Sequence, residues 1–149
     1  MDARRASPQL VFVATTIEEV SRVARPHGMN DGDLVLRIDD VGEDGLVALW
    51  STLCQMPLAE ERGISSALVH SATEEGPFVL AVDEDFLFAV ASVEHSRALE
   101  VVARWRELRW VGGFYDHDWH QRVDALSAFA RTAKHRGLSV FQIVGGAAL

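Results

Sequence analysis

Residues 78–91 read Phe-Val-Leu-Ala-Val-Asp-Glu-Asp-Phe-Leu-Phe-Ala-Val-Ala, two apolar runs separated by the three acids Asp83, Glu84 and Asp85. A short polar interruption between two runs of five or six apolar residues is the spacing of a hairpin. With the segment from Ser65 before the acidic turn Thr73–Gly76, it predicts three antiparallel strands ending near Ser92. Continuous hydrophobicity in 78–82 and 86–91 places both strands inside the sheet, and the serines and His70 of the first strand place it at an edge.

Working outward toward the N-terminus, Leu10–Ala14 is a buried strand, and Thr16 with Glu19 forms a capping-box pattern for a helix carrying Ile17, Val20 and Val23 on one face. Asn30–Asp33 is a polar turn, and Leu34–Ile38 is the next strand. Leu46, Leu49, Trp50, Leu53 and Cys54 then fall at i, i+3, i+4, i+7 and i+8, one stripe of a helix with Glu43 and Asp44 in its first turn. Cys54, on that stripe, reads as a small core residue.

Toward the C-terminus, Ser92 caps a helix reaching Leu108 with Ala98, Val101, Val102 and Trp105 inward. Asp116 or Asp118 opens a last helix with Val123, Leu126, Ala130 and Ala133 on its apolar side, closed by Gly137, and Leu138–Val144 is the final strand. The fold class is therefore α/β. One mixed sheet of five or six strands, partly antiparallel, is flanked by about four helices in a single domain over residues 1–149, with 1–8 and 145–149 frayed.

Twenty-two acidic against 14 basic residues give a net charge of −8, which repels nucleic acid and anionic lipid and attracts a basic protein surface. No apolar run approaches the about 18 residues of a membrane span, and the short run at Leu10–Ala14 does not make a signal peptide. One cysteine asks for no oxidising compartment, so a cytoplasmic location is expected, with no cofactor.

Two constellations could carry function. Asp31, Asp33, Asp39, Asp40, Glu43 and Asp44 surround a strand end and a helix start with Arg37 in opposition. If that strand is parallel to a neighbour, they lie where open α/β sheets bind ligands. Asp39, Asp40, Glu43 and Asp44, joined by Trp110, Tyr115 and Trp119 of the aromatic, glycine-containing segment, form the expected partner-binding surface. The second is His117, His120 and Asp124, which share a helical face at i, i+3 and i+7 and offer two imidazoles and a carboxylate to a metal. His70 and His95 show no companions in sequence.

Residues Gly42-Glu43-Asp44-Gly45-Leu46-Val47-Ala48-Leu49-Trp50-Ser51-Thr52-Leu53 resemble the inhibitory helix, and the loop before it, of the barstar family of ribonuclease inhibitors and immunity proteins. Ala125–Val144 is similar to that family's last helix and closing strand. Gly42 and Trp50 carry over, whereas Val47, Ser51 and Thr132 stand where the family has acidic residues. The resemblance implies an immunity-type inhibitor of a basic toxin or nuclease. A non-enzymatic binding domain is thus the leading expectation. A metal-dependent or small-molecule enzyme using His117, His120 and Asp124, and a self-associating regulatory subunit, are the alternatives.

Overall fold

The computed structural model describes residues 9–25, 28–39, 41–55, 63–108 and 116–145, with side chains for all of these except 108 and 116–118. Its frame is one five-stranded sheet of β1 (Leu10–Thr15), β2 (Leu34–Ile38), β3 (Ser65–Ser71), β4 (Phe78–Val82) and β5 (Ser139–Val144), in the order β2-β1-β5-β4-β3. Every neighbouring pair is antiparallel. The α/β class and the single sheet are as the sequence suggests. Because β2 is an antiparallel edge strand, however, the residues after it do not lie at the carboxyl ends of a parallel sheet.

The strands at the centre are buried on both faces, which is why their sequences are apolar without alternation. Leu10, Phe12 and Ala14 of β1, with Ile38, Val82 and Val140, face a layer of four helices. These are α2 (Gly42–Cys54), α3 (Glu84–Ala91), α4 (Ala98–Leu108) and α5 (Asp116–His135). Val11 and Val13, with Val79, Phe141 and Ile143, face the other way and are covered by Val20 and Val23 of the short α1 (Val20–Val23) and by Ala24 just after it. One polar side chain sits in β5's buried row: Gln142, 2% exposed, accepts a hydrogen bond from Ser65 Oγ at 2.6 Å.

The decisive stretch folds differently from the sequence expectation. Residues 78–82 are β4, but 84–91 are a helix, α3, so the three-strand meander becomes a hairpin followed by a helix. The acids between the runs are the start of that helix: Asp83 is its N-cap and accepts from the Asp85 amide at 2.8 Å, and Glu84 and Asp85 occupy the first turn. Phe86 and Val90, four apart, are buried, whereas Phe88 is 65% exposed. Ser92 is correspondingly the residue that ends α3, its hydroxyl donating back to Phe88 O, and does not open the next helix.

Three smaller expectations also change. Thr16 makes no side-chain cap bond, and a 3-10 turn over Ile17–Glu19 precedes α1, leaving Ile17 58% exposed. Cys54 is exposed because α2 stops there and Gln55 turns left-handed at φ 58°. Trp119 is 1% exposed in the core, packed edge-on to Trp105 with ring centroids 4.8 Å apart. Trp105 in turn donates its indole N–H to the Gly45 carbonyl at 2.8 Å, clamping α4 to α2.

β3 is the edge strand the sequence indicates, exposed along most of its length and irregular in register between Ser65 and Ala67 and between Leu68 and His70. Such bulges blunt an edge against unintended pairing.

Candidate functional site

The acidic corner is built where β2 runs into α2. Asp39 is exposed just past the strand, and its carboxylate accepts from Gln9 Nε2 at 2.8 Å. Glu43 and Asp44 follow it four and five positions later in the first turn of α2, where carboxylates suit the positive end of the helix dipole. Arg122 reaches across from α5 and donates to the Asp39 backbone carbonyl at 3.2 Å, with its guanidinium 5.5 Å from the Trp119 ring centre. Asp39 thus follows the end of β2 and Glu43 and Asp44 open α2, while Trp119 lies in the core. Asp40, Trp110 and Tyr115 lie outside the described residues.

Asp33 does not join that corner. Arg22 holds it in a two-pronged ion pair, Nη1 to Oδ2 at 3.0 Å and Nη2 to Oδ1 at 2.9 Å, and the Asn30 amide adds a third bond at 2.7 Å. The same guanidinium donates to the Gly28 carbonyl at 2.8 Å and to Glu19, so one arginine ties α1 to the turn before β2. Hydrogen bonding to Arg22 lowers the Asp33 pKa below its ordinary 3.8, and the two carboxylates raise that of Arg22. The sequence sets Arg37 against this acidic stretch; at Asp33 the cation that engages it is Arg22.

The histidine constellation extends beyond α5. His120 and Asp124 come together as their spacing on one helix dictates, His120 Nε2 lying 3.3 Å from Asp124 Oδ2. The third member is His95, from the 3-10 turn His95–Arg97 before α4, whose Nδ1 lies 3.0 Å from the same Oδ2. The two imidazole rings are 5.2 Å apart. The His117 side chain lies outside the described residues.

A polar row along α5 positions His95. Asp124, Ser127 and Arg131 recur at i, i+3 and i+7, and each engages the connection between α3 and α4. Ser127 Oγ donates to Val93 O at 3.1 Å, Arg131 Nε donates to Ala91 O at 2.8 Å, and Arg131 also donates to Val93 O. These are carbonyls at and just past the end of α3, which lack helical partners and favour a cation nearby. The connection is therefore fixed two residues before His95, and Asp124 receives the imidazole. Sequence offered only the polar spacing on α5, with no sign of what it would meet.

Phe88 marks the remaining surface feature. It lines a groove of about 840 Å³ with Ile17, Val69, Leu87 and Lys134, and a second of about 580 Å³ with Trp50, Cys54, Arg97 and Arg104. Lys134 Nζ sits 5.4 Å over the Phe88 ring. Among the described residues no helix is long and apolar enough to cross a membrane.

No family model matches this chain, and no curated protein or solved structure shows a significant match to it.

Proposed function

We propose that this protein is an intracellular binding domain that docks a basic protein surface through the acidic corner formed by Asp39, Glu43 and Asp44. The observation that carries the reading is the placement of these carboxylates at one strand end and one helix start in a chain of net charge −8. A cationic surface approaching such a corner is steered by the long-range field and meets fixed backbone on either side. The specific form of the proposal is an immunity-type inhibitor of a basic toxin or nuclease. The likeness of 42–53 to the barstar family's inhibitory helix supports it, with the charges shifted here to that helix's N-terminal end.

Capture from a native lysate at low salt, elution by rising salt and reconstitution with the purified partner test this proposal. A stoichiometric complex with a basic protein, weakened by salt, supports it; a partner that is neutral or acidic, or indifference to salt, removes it.

Self-association is a second reading with one observation in its favour, the apolar side chains of Leu68 and Val69 on β3, exposed at 58% and 37%. Sedimentation over a range of protein concentrations decides it: a constant monomer mass ends the reading.

A further inference from the structure

We infer that His95, His120 and Asp124 form a binding site for one divalent transition-metal ion of the zinc and cobalt class, independent of the acidic corner. Their donor atoms all lie within 4.8 Å of one another. Zinc takes nitrogen at about 2.0–2.1 Å and carboxylate oxygen at about 2.0–2.2 Å, so donors of a tetrahedral site stand about 3.3–3.5 Å apart. Two of the spacings, 3.0 Å and 3.3 Å to Asp124 Oδ2, are already close to that. The third closes by turning the His95 ring, whose side chain is 79% exposed and has room to move.

The donor set selects the ion. Two imidazoles and one carboxylate suit zinc, cobalt and nickel; calcium and magnesium prefer all-oxygen shells, and copper(I) prefers sulfur. The scaffold is firm, since His120 and Asp124 stand one turn apart on the 20-residue α5, and Ser127 and Arg131 fix Val93 near His95. Three protein donors with one side open leave a position for water or for a ligand atom of a bound partner.

Without metal, His95 Nδ1 donates to Asp124 Oδ2 and His120 Nε2 lies 3.3 Å from the same oxygen. A metal ion needs the lone pair of each of those nitrogens, so a neutral imidazole that binds it carries its proton on the other ring nitrogen. The structural alternative, a carboxylate that merely receives two imidazoles, binds no ion.

Titration of untagged, chelator-treated protein with cobalt(II) tests the site. The expected result is one equivalent bound with visible d–d absorption, displaced by zinc, and a Tm rise of about 5–10 °C at a hundredfold excess of zinc over Kd. His95→Gln, His120→Gln and Asp124→Asn each lose the absorption, while His135→Gln, at the far end of α5, retains it. His95 is exposed enough that His95→Gln leaves the metal-free Tm unchanged, which separates loss of the site from loss of the fold. Absence of both absorption and Tm rise in the unaltered protein overturns the inference. So does absorption that survives in His95→Gln.

Discussion

Replacing Phe86 and Phe88 by alanine, one at a time, tests the assignment on which the fold turns. On a strand, residues two apart share a face, so the two phenylalanines would be buried or exposed together. On α3 they point apart: Phe86 is 0% exposed and meets Trp50 edge-on at 5.6 Å, whereas Phe88 is 65% exposed with Lys134 above it. Truncating a buried phenylalanine costs about 3–5 kcal/mol through lost transfer energy and the void left behind. Truncating Phe88 removes mainly an exposed cation–π contact worth about 0.5–1 kcal/mol. For a chain of this length about 1 kcal/mol moves Tm by about 2–4 °C. Phe86→Ala should therefore lower Tm by about 6–20 °C and Phe88→Ala by less than about 4 °C, read by thermal or urea denaturation followed by circular dichroism. Equal losses at the two positions would refute the helix and restore the strand.

Trp105→Phe should cost about 2–4 kcal/mol, from the unmet Gly45 carbonyl and the space left by the missing ring atoms, and a urea midpoint within error of the parent would contradict the clamp between α4 and α2. The Asp33 pair gives a pH signature. Its pKa is depressed in the fold, so the stabilisation is complete above the ordinary carboxylate range and is lost as pH falls through 3.8 toward the folded value. Asp33→Asn should accordingly show a flatter fall of Tm than the parent between about pH 5 and pH 3, and parallel curves would show that the pair adds nothing.

Much of this architecture is legible in the sequence because local signals agree. Leu10–Ala14, Leu34–Ile38 and Leu138–Val144 are apolar over strand lengths, and the spacings Leu46–Leu49–Trp50 and Val123–Leu126–Ala130–Ala133 admit only a helix. The segment 86–91 misleads because six apolar residues satisfy either period. Asp83-Glu84-Asp85 has the composition of a turn and equally that of a cap with an acidic first turn. Ser92 misleads for the same reason, since its hydroxyl serves the end of one helix as readily as the start of another.

The sites are less legible because they depend on distance in space. His120 and Asp124 are visible as a pair through their helical spacing, but His95 joins them from 29 residues before Asp124, brought there by the contact of α5 with the α3–α4 connection. Arg22 and Asp33 likewise meet across the fold of one loop. Trp119 belongs to an aromatic segment that suggests a surface anchor, yet its place one turn ahead of Val123 on α5 puts it on the buried side. The acidic corner is the exception, because Asp39, Glu43 and Asp44 are near neighbours in sequence at one strand end and one helix start.

Steering of a basic partner by those carboxylates shows in the association rate. With the captured partner purified, stopped-flow association would be compared between the parent and the triple variant Asp39→Lys, Glu43→Lys, Asp44→Lys. Screening over the about 10 Å Debye length at 0.1 M salt makes the difference largest at low ionic strength. Association of the variant should be slower by at least about tenfold at low salt, with the gap closing as salt rises and with dissociation less affected. An association rate unchanged by charge reversal at low salt would contradict the claim.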